Sequence, residues 1–132
     1  MTTTTKPLFT DLDAFVRGYL EAAFFTNDDN APGGCDYRDT GRVSVMYDKL
    51  APEVLTQAQR ECEAFQCANS VALSHAGDDE QNGRDFWFTR CGHGAGFWDR
   101  GYEAIGDELT EQSRKAGNRD LYEGDDKQLY FQ

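Results

Sequence analysis

A chain of 132 residues fits a single domain, 1–132, and at this length roughly two-thirds of the unfolded surface can be buried without disulfide staples. Its 24 acids against 13 bases leave a net charge of −11, a surface that repels phosphate backbones and anionic lipid and so excludes direct binding to nucleic acid or to a membrane surface. Aromatic residues at 13% are too many for a solvating acidic tail, so a folded body under a negative skin is expected.

No apolar run approaches a membrane span, and "MTTTTKPLF" lacks the charged region and apolar core of a signal peptide; a cytoplasmic protein is expected. Cys35, Cys62, Cys67 and Cys91 then read as reduced thiols. Residues 1–8 read as a flexible polar leader. Thr10 and Asp13 resemble a capping box, and Leu12, Phe15, Val16, Tyr19, Leu20 and Ala23 recur at helical spacing, which predicts a helix over 11–25 with Arg17 and Glu21 on its polar face.

"TNDDNAPGGCDYRDTGR" carries loop signals throughout. Its carboxylates Asp28, Asp29, Asp36 and Asp39 lack the glycine and terminal glutamate of a calcium loop, so a solvated loop is expected. "VSVMY", 43–47, reads as a short strand. Pro52 opens a helix reaching the low seventies, with Leu55, Ala58, Cys62, Phe65 and Asn69 along one face. Cys62 and Cys67 lie about 140° apart on that helix and make poor partners for a disulfide or a metal. His75 is expected to cap carbonyls or face solvent.

"GDDEQNG" reads as a break, and "RDFWFTR" has the aromatic and β-branched content of a strand over 85–90. A helix over 102–116 follows, with Tyr102, Ile105 and Leu109 on one side, Glu103, Asp107 and Glu111 on the other, and Gly117 as its stop. "RDLYEGDDKQLYF" reads as a hairpin around Gly124 to Lys127. The terminal "LYFQ" resembles a protease-tag remnant, but the usual Glu-Asn is missing and the alternation fits a strand. The expected class is α+β, with helices packed on one face of a small, mainly antiparallel sheet built from 85–90, 119–123 and 127–131.

Between strand and helix stands "RCGHGAGFWDRGY". It fits neither the Walker nor the Rossmann glycine register, which argues against a phosphate cradle. Cys91, His93 and Asp99 make a formal nucleophile, base and orienter, the alternative of a small enzyme, yet true triads usually assemble from distant segments. Cys91 and His93 supply only two zinc ligands, so neither metal nor cofactor is expected. The favoured reading is a structural turn: Gly92, Gly94 and Gly96 free the backbone, Phe97 and Trp98 plug the core, His93 pins a carbonyl, and Asp99 and Arg100 cap the helix or pair.

Together with "LDAFVRGYLEAAFF" and "DLYEGDDKQLYF", the run "GHGAGFWDRG" resembles a group of small acidic proteins encoded by bacteriophages and prophages. Where that group carries Asn before the first glycine of the loop, this chain has Cys91. The resemblance implies an accessory protein acting in a bacterial cytoplasm; it supplies no activity. The expected function is an acidic inhibitor or nucleic-acid mimic acting on a host defence complex. Glu103, Asp107, Glu111, Asp120, Glu123, Asp125 and Asp126 would meet a host protein's basic, nucleic-acid-binding surface. A phage structural or assembly factor is the further alternative.

Overall fold

A computed structural model describes residues 6–27, 40–92 and 96–131. Among them the order is a 3-10 turn (Phe9–Asp11), α1 (Ala14–Asn27), α2 (Thr40–Lys49), α3 (Pro52–Ala68), α4 (Ser70–Ser74), α5 (Asp79–Arg90), a 3-10 turn (Phe97–Asp99), α6 (Ala104–Lys115), β1 (Leu121–Glu123) and β2 (Leu129–Phe131). The loop acids Asp28, Asp29, Asp36 and Asp39, with Cys35, lie outside the described residues. The described residues are thus mostly helical with one small antiparallel hairpin.

α3 forms as its pattern predicts. Pro52 sits in the first turn, where its missing N–H costs no bond, and Leu55, Ala58, Cys62 and Phe65 are buried on one face. Asn69 interrupts the helix there: its side-chain amide and its backbone N–H both donate to the Phe65 carbonyl, at 3.0 Å. Cys67 is exposed and Cys62 buried, in keeping with their divergent faces, and His75 is exposed just beyond α4.

Two expected strands are helices. The 43–47 segment lies within α2, where Val43 and Tyr47, one turn apart, are buried while Val45 is 60% exposed. The 85–90 segment completes α5, which starts early because the Asp78 carboxylate accepts the Gln81 backbone N–H at 2.8 Å. "GDDEQNG" is therefore largely helical, and the break is confined to the residues around Gly77. With 85–90 removed, the sheet among the described residues has two strands, pairing Leu121 with Phe131, Tyr122 with Tyr130 and Glu123 with Leu129.

α1 and α5 make the main helix pair, and the core gathers around their contact. Phe65 stacks on Phe86 with ring centroids 4.1 Å apart, and Tyr19 meets Trp87 edge-on at 5.2 Å. The Trp87 indole N–H donates to the Thr26 hydroxyl at 2.9 Å, so the largest buried side chain leaves no stranded donor. β2 joins this body at Leu129, which is buried, bridges Leu50 in parallel and accepts the Ala51 N–H at 3.2 Å.

Arg90, at the end of α5, is buried and ties four segments together. Its Nε and Nη2 donate to the carbonyls of Gly117 and Ala116 at 2.8 and 2.7 Å, and Nη1 donates to the Tyr19 hydroxyl at 3.0 Å and to Glu61 at 2.7 Å. Glu61 also takes Arg119 through both oxygens. Gly117, with φ of +89°, ends α6 as expected, and the Arg90 guanidinium fills the exposed carbonyl end it leaves.

Candidate functional site

The glycine segment follows a helix, not a strand. Gly92 (φ +74°) donates its N–H to the Thr89 carbonyl, and Gly96 (φ +150°) passes so close to α5 that a Cβ would stand 2.2 Å from the Thr89 hydroxyl. That hydroxyl accepts the Phe97 N–H at 3.2 Å. Phe97 is fully buried, but Trp98 is 47% exposed, so Phe97 alone plugs the core. Asp99 is exposed, and the Arg100 guanidinium turns back to the buried Asp85, with Nη2 2.8 Å from Oδ1. His93 and Gly94 lie outside the described residues.

Cys91 caps the carboxyl end of α5 and is half-buried. Its Sγ donates to the Arg119 carbonyl across 2.8 Å, and burial pushes the thiol up to about 11, so the sulfur is protonated at neutral pH. The thiol faces Arg119 and Asp99 is exposed, and the His93 that would stand between them lies outside the described residues.

The acids singled out from the sequence are all exposed, in two groups. Glu103, Asp107 and Glu111 stand on successive turns at the start of and along α6. Glu111 has Lys115 3.7 Å away, a pair between two highly exposed side chains that contributes little. On the hairpin, Glu123 pairs with Lys49, and Asp126 accepts from the Tyr130 hydroxyl and the Gln128 N–H; these hydrogen bonds hold both carboxyls below the usual range. Asp120 accepts the N–H of Leu121, and Asp125 is exposed in the turn. Asp107 and Glu111 line one shallow depression, and Glu123, Asp125 and Asp126 line another. α6 packs on α4, α5 and the 97–99 turn, whereas the hairpin packs on α1 and α3.

Comparison of the chain with family models, curated proteins and solved structures gives no match. Among the described residues no helix is long and apolar enough to cross a membrane.

One site was not anticipated from the sequence. Residues 6–10, α1, α2 and the start of α5 enclose a cleft of about 500 Å³ whose lining includes Lys6, Phe9, Arg17, Glu21, Tyr47 and Glu80. Lys6, at the end of the leader, donates to the Tyr47 and Leu50 carbonyls, and the Tyr47 hydroxyl donates to the Pro7 carbonyl at 2.6 Å. Glu21, expected on a polar face, is instead buried: its Oε1 lies 3.3 Å from Arg84 Nη1, and the same nitrogen is 3.1 Å from Glu80 Oε1. Burial, then the neighbouring Glu80 carboxyl, pushes Glu21 up to about 7, against the opposing pull of Arg84. The one sequence signal for the pair is the i, i+4 spacing of Glu80 and Arg84, which has meaning only once 79–90 is read as helix.

Proposed function

We propose that this protein is an acidic binding protein of the phage-accessory kind, which acts in a bacterial host by occupying the basic, nucleic-acid-binding surface of a host protein, a defence complex foremost. The observation that carries the reading is the exposed set Glu103, Asp107 and Glu111, with Asp107 and Glu111 one turn apart on α6 and Glu103 at its N-cap. Four residues advance about 6 Å along a helix, so Asp107 and Glu111 present negative charge at that spacing on a rigid rod, and Glu103 adds a third acid at its start. The hairpin acids Asp120, Glu123, Asp125 and Asp126 add to the field, as does the net charge of −11. Such a surface competes with a polyanion for the same cations without itself being nucleic acid.

The test is retrieval of partners from nuclease-treated host lysate over a range of wash salt, followed by binding measurements on the purified partner. The expected outcome is a partner with a basic nucleic-acid site, an affinity that falls steeply with salt, and loss of binding on reversing Glu103, Asp107 and Glu111 to Lys together. Unchanged affinity in the triple-reversal variant would sink the reading.

A further inference from the structure

Arg17 and Glu21 lie one turn apart on α1, both line the cleft, and neither uses the other. Glu21 has turned to Arg84, where it shares Nη1 with Glu80, so two carboxylates converge on one guanidinium nitrogen. Among the described residues Arg17 makes only a long 3.4 Å contact from Nη1 to the Thr10 carbonyl, and its Nε is shielded from solvent with no hydrogen-bond partner. The cleft therefore holds an acid pair short of a cation next to a guanidinium short of an anion. Lys6, the other cation of the lining, is committed to the Tyr47 and Leu50 carbonyls and lies over the Tyr47 ring. Pro7, Leu8, Phe9, Val43 and Tyr47 give the remaining wall an apolar stretch, Thr10, Ser44 and Asp48 complete the lining, and Leu8 is 69% exposed at its edge.

We propose that this cleft binds a small zwitterion with an apolar side chain, of the class of a free hydrophobic α-amino acid. The ammonium sits between Glu21 and Glu80, the carboxylate meets Arg17, and the side chain lies on Leu8, Phe9, Val43 and Tyr47. Apolar walls with a few convergent polar groups are the ordinary composition of a small-molecule site, and the volume lies within its usual range. A bidentate guanidinium is the preferred protein partner for a carboxylate, and an ammonium supplies the donors that two crowded carboxylates lack. The site shares no residue with the exposed acids of α6 and the hairpin, so it stands or falls independently of the binding-protein reading.

Isothermal calorimetry of the full chain against leucine and phenylalanine tests the proposal, with the corresponding acids lacking the amine (4-methylpentanoate, 3-phenylpropanoate) and amines lacking the carboxylate (3-methylbutylamine, phenethylamine). At least one amino acid is expected to bind, with each of its truncated analogues weaker by about ten-fold or more, the loss of one charged contact. Arg17→Gln should weaken the amino acid about ten-fold but leave the amine unaffected, and Glu80→Gln should do the reverse with the acid. Glu80 is used because its side chain is 37% exposed, so the variant folds without burying a new group. Absence of binding by both amino acids at about 10 mM, weaker than any ordinary site, overturns the proposal. Equal affinity for amino acid and amine, or binding untouched by Arg17→Gln, overturns it too.

Discussion

Gly83 of α5 lies directly against the main chain of Phe15 in α1: a Cβ at Gly83 would stand 1.9 Å from the Phe15 carbonyl oxygen. The contact is reciprocal, since a Cβ at Gly18 would stand 1.9 Å from the Glu80 carbonyl. The central helix pair thus touches backbone to backbone at two points. Alanine is the better helix former by about 1 kcal/mol, yet the nearest atoms the added methyl would meet are main-chain atoms of Phe15 and Tyr19. Gly83→Ala is expected to destabilise the protein by about 2 kcal/mol net, at the middle of the range for overpacked cores. A lower urea midpoint at unchanged slope is the result to look for; a midpoint equal to the parent's would show that the helices separate freely.

Arg100 supplies the charge that balances Asp85, whose side chain is fully buried. Its Nε lies 3.2 Å from both carboxylate oxygens, and Gln81 adds a third donor at 3.0 Å. Arg100→Ala strands a buried carboxylate and is expected to cost about 3 kcal/mol, whereas Arg100→Lys recovers only part because an ammonium cannot reproduce the fork. Denaturation of the two variants and of Arg100→Ala with Asp85→Asn decides it. The double variant should be more stable than Arg100→Ala alone, and a cost for Arg100→Ala no larger than an exposed pair's would contradict this account.

Stability should fall as pH rises from about 4.5 to 7. Glu21 titrates near 4.5 when unfolded and near 7 when folded, so the native state holds the extra proton across that window. Ionising Glu21 beside Glu80, where the two carboxyls share one Arg84 nitrogen and the other terminal nitrogen of Arg84 is given to Gln81, then costs about 1–2 kcal/mol, less than the full linkage because Glu80 is partly solvated. Melting curves of the parent and of Glu21→Gln between pH 4.5 and 8 should diverge, with the variant the flatter. Parallel curves would refute the shift.

Of the three described cysteines, Cys67 should be alkylated first. Cys67 is exposed, Cys62 is buried with its thiol pushed well up by burial, and Cys91 is bonded to the Arg119 carbonyl with a thiol near 11. Peptide mapping after iodoacetamide at pH 8 is expected to show Cys91 modified at least about ten-fold more slowly than Cys67, because the thiolate is the reacting form. Comparable rates would restore Cys91 as a candidate nucleophile.

α3, α6 and the hairpin were legible because each has a wet side. Glu103, Asp107 and Glu111 against Leu109 mark a period of 3.6, and Gly117 and the turn from Gly124 to Lys127 mark the ends. α5 has no wet side over its last nine residues: Asn82 through Arg90 are all buried. A helix buried all round leaves periodicity nothing to register, and Phe86, Trp87 and Phe88 then read by their type as strand. The Asp78 cap with Gln81 three residues on was the usable signal. α2 misled in the opposite way, since Val43, Val45 and Tyr47 alternate as in a strand although only the first and last are buried. The cleft was beyond reach because Glu21 and Arg84, 63 positions apart, meet only through the crossing of α1 and α5.

Arg90 gathers Tyr19, Glu61 and two carbonyls onto one planar group, and Glu61 passes the tie on to Arg119. For an evolving lineage these side chains form one heritable unit. Losing Arg90 strands the Tyr19 hydroxyl and two carbonyls, and losing Glu61 leaves two arginines facing each other, so a first substitution anywhere in the set is purged before a second can repair it. Drift among descendants of this sequence will therefore change these four positions together or leave all of them alone.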